Sequence, residues 1–263
     1  MATVAEIFTA LAELAPVERK MDFDNVGFLV GRGGRQVDKI ITALDITDDV
    51  IAEAAGAGAQ LVVSHHPLFF SAKSITDESG IGRKVLSLAE NEIAAICMHT
   101  NLDAADGGVN DALAKAVGLA DIELLCTDGV DSCGNAYCCG RMGTVEPVCM
   151  ADFLPLVKKA LRANGLRYHD GGKPVNRVAV VGGSGGSYLE TAFSKGCDTI
   201  ITADVKYDVF LTAKELRMNI IDGDHFCTEN TVVPVLREYL IKRFPEIEVE
   251  ISKVHGQTAQ FIV

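Results

Sequence analysis

Apolar residues at Val4, Ile7, Phe8, Leu11, Leu14 and Ala15 recur at the spacing of one helical face, and Pro16 closes the segment. This predicts an amphipathic helix over 4–15. After the turn-rich stretch DFDNVGFLVGRGGR, the run KIITALDI (39–46) reads as a buried strand. Thr47, Asp48 and Asp49 open a helix that stops around Gly56 and Gly58, and LVVS (61–64) reads as the next strand. Strand, helix and strand with short joints form a βαβ unit, so the pattern predicts an α/β fold with a parallel sheet.

The same pattern occurs twice. Residues 38–65 (DKIITALDITDDVIAEAAGAGAQLVVSH) lie on residues 176–203 (NRVAVVGGSGGSYLETAFSKGCDTIITA) without a gap, with Gly58 on Gly196, Leu61 on Thr199 and Ser64 on Thr202. Each half continues into a further strand, IAAICMHT (93–100) and RMNIIDGD (217–224). Each of those feeds a helix, after Gly108 in the first half and after His225 in the second. The expectation is an internal duplication: a first α/β half over 1–125, a connecting strand, helix and strand over 126–175, and a second α/β half over 176–263. The three can count as a single domain overall, with no low-complexity linker.

Composition narrows the setting. A chain of 263 residues, 48% of them apolar, can build a substantial core. No apolar run reaches the roughly 18 residues a membrane helix needs, and MATVAEIFTALAEL lacks the basic start and cleavage site of a signal peptide. A cytoplasmic protein without membrane contact is expected. The formal charge of -12, with Lys and Arg scattered, argues against an extended nucleic-acid patch, although a small phosphorylated or nucleotide-like substrate fits. The eight cysteines (Cys97, Cys126, Cys133, Cys138, Cys139, Cys149, Cys197 and Cys227) are expected as free thiols packed as small hydrophobes. No CxxC pair occurs, so a four-cysteine metal site is not expected.

The chemistry-bearing residues gather at strand ends, where ligands bind in open α/β sheets. In LVVSHHPLFF (61–70), His65 and His66 follow a strand and Pro67 ends it. His99 and Asp103 of HTNLD follow the next strand, and GDHFCTE (223–229) follows the corresponding strand of the second half. His225 and Glu229, four apart at a helix start, project from one face. Adjacent residues in a strand point to opposite faces, so His65 and His66 can share a site only if the chain bends after Ser64, and the two rings can then address different ions. Imidazoles with carboxylates make a nitrogen and oxygen set suited to zinc, manganese or iron, and a carboxylate can bridge a pair of ions.

In order along the chain, DFDNVGFLVG, SHHPLFF, HTNLD, CGRMG, VGGSGG, ITADVKYDVF and DGDHFCTE resemble the motifs of the Nif-three-like family, often labelled GTP cyclohydrolase 1 type 2 homologues. The likeness covers nearly the whole chain. It implies two similar α/β halves packed around a dinuclear metal site, and a toroidal homohexamer. By match to its motifs the ligands are His65, His66, Asp103, His225 and Glu229, the set that strand topology brings together. It also implies the short form, without the central domain that some members insert. Two positions depart from the family pattern: Asp208 lies in a segment where members often carry histidine, and Asp224 stands where glycine often precedes the histidine.

The function expected is that of a dinuclear metal-dependent hydrolase using a metal-bound hydroxide. His99 is the candidate proton shuttle, or else a group that orients a ligand. A GTP cyclohydrolase-like reaction would add water to the purine imidazole ring, but cations for a triphosphate are scattered, as Arg32, Arg35, Lys73 and Arg83. Lys206 and Tyr207 read as substrate contacts or as a solvated loop. The glycine-rich VGGSGGSYL (181–189) reads as a phosphate cradle or as a tightly packed strand-to-helix turn. The alternative to a hydrolase is a non-enzymatic metal-binding scaffold or metal-handling protein, and sequence leaves open whether the chain is an enzyme.

Overall fold

The computed structural model describes residues 2–262. The chain begins with β1 (Ala2–Thr3) and α1 (Val4–Leu14), which a capping box closes: Thr3 Oγ1 accepts from the Glu6 amide, and the Glu6 carboxylate accepts from the Thr3 amide at 2.7 Å. It continues through β2 (Gly27–Val30), β3 (Gln36–Val37), β4 (Lys39–Ala43), α2 (Asp48–Gly56), β5 (Leu61–Ser64), α3 (Gly80–Glu90), β6 (Ala94–Cys97) and α4 (Thr100–Ala104). Next come α5 (Val109–Ala116), β7 (Ala120–Leu124), a small hairpin of β8 (Gly129–Val130) and β9 (Ala136–Tyr137), β10 (Arg141–Val148), α6 (Met150–Leu161) and β11 (Arg167–His169). The remainder is β12 (Val175–Val180), α7 (Leu189–Ser194), β13 (Thr199–Thr202), α8 (Tyr207–Leu216), β14 (Asn219–Asp222), α9 (His225–Glu229), α10 (Val232–Arg243) and β15 (Glu248–Ile251). No helix among the described residues is long and apolar enough to cross a membrane.

Two compact units result, one of Met1–Ala105 with Val233–Gly256, the other of Asp106–Val232 with Gln257–Val263. The first holds a five-stranded sheet in the order β15-β4-β5-β6-β2, parallel from β15 to β6 with β2 antiparallel at the edge. The second holds a six-stranded sheet in the order β11-β14-β13-β12-β10-β7, in which β12, β13 and β14 pair in parallel, while β11 with β14, β10 with β12 and β7 with β10 pair antiparallel. Both sheets are therefore mixed, with the parallel strands predicted from the βαβ pattern at their centres.

Strand alternation explains the packing of the second sheet. Val178, Val180, Ile201 and Ile221 pack with Phe153, Val157 and Leu161 of α6, whereas Ala179, Ile200 and Ile220 pack with Leu189, Ala192 and Ala213 of α7 and α8. A sheet covered on both faces needs strand centres apolar on both sides, which is why Val178–Val180, Ile200–Ile201 and Ile220–Ile221 are unbroken apolar runs. In the first unit, Ile41, Ala43, Val62 and Ala95 pack with Val50, Ile51 and Ala54 of α2 and Leu88 of α3.

The helix expected after His225 is broken at Asn230 and restarts at Val232. A continuous helix would require an amide from Pro234 for the Asn230 carbonyl and would drive the proline ring into it. Restarting at Val232 puts Pro234 in a first turn, where no intrahelical donor is needed.

Candidate metal centre

In the first unit, β5 ends at Ser64 and the chain bends, with Ser64 Oγ donating to the His66 carbonyl at 2.7 Å. His65 is fully buried and His66 half-buried. His65 Nδ1 donates to the Met98 carbonyl at 2.9 Å, which in a neutral ring leaves the lone pair on Nε2. That nitrogen lies 3.7 Å from Asp103 Oδ1 of α4. His66 Nδ1 pairs with Asp45 Oδ1 at 2.7 Å, and His99 Nδ1 with Asp24 Oδ1 at 2.8 Å. His65, His66 and His99 each offer a ring nitrogen within 4.8 Å of the others, a spread that one ion can span.

The Asp24 carboxylate is buried and fixed from three sides, by His99, by the Thr100 amide at 3.0 Å and by the Thr100 hydroxyl. Burial opposes its ionisation, but the hydrogen bonds from His99 and Thr100 outweigh it and hold the carboxyl at about 2, below the ordinary 3.8. A depressed carboxyl stabilises the fold above its unfolded value and loses that contribution as pH falls through the folded one. Urea midpoints measured against pH should accordingly show a loss on the order of 2 kcal/mol between about pH 4 and pH 2, absent from Asp24→Asn.

The second unit carries its own group. Asp224 caps α9, its Oδ1 accepting from the Cys227 amide at 3.1 Å, and its backbone adopts φ 73, the left-handed region that favours glycine. His225 Nδ1 pairs with Asp204 Oδ2 at 2.7 Å, and His225 Nε2 lies 3.0 Å from Glu229 Oε2 one turn on. Glu229 is buried. The bond to Glu229 raises His225, burial opposes it and Asp204 adds to the rise, so the imidazole sits at about 9 and is protonated at neutral pH. A cation would take that proton's place between the ring and the carboxylate.

The glycine-rich turn is occupied by the protein itself. The Gly182, Gly183 and Gly185 amides donate to Asn110 Oδ1, Thr228 Oγ1 and Thr202 Oγ1 at 2.8, 3.1 and 2.8 Å. Those three amides serve packing rather than a phosphate. Lys206, Tyr207 and Asp208 are exposed at the start of α8.

Asp24, Asp45 and Asp204 are not singled out by the sequence pattern, because none of them stands at ligand spacing from a histidine. Asp45 follows β4 and Asp204 follows β13, so the rule that singled out the histidines, applied to carboxylates, finds both.

Comparison with known proteins agrees along the chain. The family model described as Duf34/NIF3 (NGG1p interacting factor 3) matches residues 2–258. A Clostridium perfringens protein named GTP cyclohydrolase 1 type 2 homolog is 35% identical over 261 residues, covering 98% of each chain. Among solved structures, a Bacillus cereus protein related to NIF3 superposes with a TM-score of 0.93 at 23% identity, covering 100% of this chain and 99% of its own. A Staphylococcus aureus hypothetical protein superposes with a TM-score of 0.90 at 28% identity over 99% of both.

Proposed function

Given that the chain belongs to the Duf34/NIF3 family, we propose that His65, His66, Asp103, His225 and Glu229 hold two divalent transition-metal ions, zinc, iron or manganese, and that the protein is a metal-dependent hydrolase. The observation that carries this reading is shared by all three histidines: Nδ1 of His65, His66 and His225 is held by the Met98 carbonyl, Asp45 and Asp204. Metal-ligating histidines donate their second nitrogen to an oxygen acceptor in this way, which fixes the ring and raises its basicity. Asp103 and Glu229, beside Nε2 of His65 and of His225, add hard oxygen donors to the set. The chemistry such ions supply when bound is Lewis acidity, which lowers the pKa of water and polarises the bond attacked.

The rest falls to the chain's own groups. His99 would move the proton: its Nδ1 is held by the Asp24 carboxylate, which orients the ring. Asp24 is then a positioning residue. Substrates to test are phosphate esters, cyclic amides and nucleotides, GTP included, because the comparisons name a relative and not a reaction. We place the active form in the cytoplasm as a homohexamer, by the resemblance of its motifs to those of the family.

With metal-reconstituted protein, His99→Gln should lower kcat by about 10²–10⁴-fold on any substrate that wild type turns over, with metal content unchanged. Equal rates would remove His99 from the reaction. Full metal loading with no turnover across those substrate classes would favour the metal-handling alternative.

A further inference from the structure

A second cluster of metal-type donors lies in the second unit and has no part in the reading above. Cys126 Sγ and Cys138 Sγ are 3.2 Å apart, and Cys126 Sγ lies 3.3 Å from Asp128 Oδ1. One ligand atom from each of the three falls within 4.8 Å of the others. We propose that Cys126, Cys138 and Asp128 form a thiolate-rich site for a soft or borderline divalent ion of the zinc type.

The local chain builds this site. The β8–β9 hairpin pairs Gly129 with Tyr137 and Val130 with Ala136, and the Asp128 amide donates to the Tyr137 carbonyl at 2.9 Å. Asp131 closes the turn by accepting from the Cys133 and Asn135 amides at 3.0 and 2.8 Å. Hairpin closure thus brings Cys138 beside Cys126 and Asp128. The carboxylate is itself aimed: Asp128 Oδ2 accepts from the Cys139 amide and from the Tyr188 hydroxyl, both at 2.8 Å, while Oδ1 faces Cys126. Holding one carboxylate oxygen so that the other faces the ion is the arrangement expected around metal ligands.

The third donor and the exposure argue for a metal over a simple dithiol. A disulfide would have no use for an oriented carboxylate in contact with one sulfur. Two thiolates on a tetrahedral zinc stand about 3.8 Å apart, so the pair need open by only about half an ångström to admit the ion. Cys138 is buried, Cys126 half-buried and Asp128 exposed, so an ion can enter from solvent. On binding, the two thiol protons leave to solvent and the two thiolates and one carboxylate oxygen become the ligands. No electron transfer is involved.

Cobalt(II) is the probe, because only sulfur ligands give an intense near-ultraviolet charge-transfer band, and nitrogen and oxygen donors elsewhere do not. Full-length protein, stripped of metal and kept reduced without air, should develop that band on cobalt titration. Cys126→Ser, at a half-buried position, should lose the band while cobalt at other sites persists, and Asp128→Asn should weaken the sulfur-bound cobalt by about tenfold or more. Cobalt uptake without a charge-transfer band in reduced wild type would overturn the proposal, as would a band of equal strength in Cys126→Ser. Reduced protein that takes up no cobalt through sulfur and forms only a Cys126–Cys138 disulfide in air would overturn it as well.

Discussion

Alanine at Gly183 is expected to dismantle the ligand pair on α9 while the fold survives. Gly183 has φ 62, and a Cβ there would overlap Glu229 Oε1 and stand 3.3 Å from His225 Cε1. The left-handed backbone alone disfavours a side chain by about 1–2 kcal/mol. The larger consequence is displacement of Glu229, which is buried and has little room to retreat. We expect zinc affinity, measured calorimetrically, to fall by at least ten- to hundredfold, the loss typical when a ligand is misplaced by its surroundings. The melting temperature should fall by only a few degrees. Unchanged affinity would mean that Glu229 does not bind metal.

Asp111→Ala carries the largest expected cost in stability. Arg141 is 2% exposed, its Nη2 and Nε lying 3.1 and 3.2 Å from Asp111 Oδ2, while Nη1 donates to the Cys138 carbonyl at 2.8 Å and the Gly140 carbonyl at 3.2 Å. Asp111 also accepts from the Gly107 amide at 2.8 Å, ahead of α5. Removing the carboxylate takes the nearer of two acidic partners from a buried guanidinium and leaves the exposed Asp106, 3.5 Å away. Breaking a buried pair from one side costs about 3–5 kcal/mol, and the value here should lie near 3 because Asp106 remains. Urea denaturation reads it directly. A change below about 0.5 kcal/mol, the scale of ordinary surface substitutions, would show that the pair is not what secures Arg141.

These predictions mark what could and could not be read in the sequence. The apolar runs KIITA, LVVS, TIIT and NIID announced central parallel strands because burial on both faces leaves no polar alternation. The histidines were legible because strand ends in α/β sheets are where polar groups gather for ligands. The antiparallel neighbours were not legible as such: β10 pairs with β12 and β7, and β11 with β14, through contacts that no local period encodes. The carboxylates behind the histidines were missed for a similar reason, since Asp24 reaches His99 across the fold while sitting in a turn-rich segment. The cysteine reading was too coarse as well. Searching for CxxC passes over Cys126, Asp128 and Cys138, which only hairpin closure assembles. The unusual backbone of Asp224, with φ 73, gives a physical reason why glycine suits that position and why this chain's departure adds a helix cap in exchange.

Metal content is the most direct test of the central claim. Protein purified without chelator and without affinity-tag metal would be analysed for transition elements beside His65→Ala and Glu229→Ala, with Cys126→Ser as the background that removes the thiolate site. The account predicts about two ions per chain in that background, lost in both ligand variants. Less than about half an ion per chain, unchanged by either substitution and not restored by added metal, would contradict it.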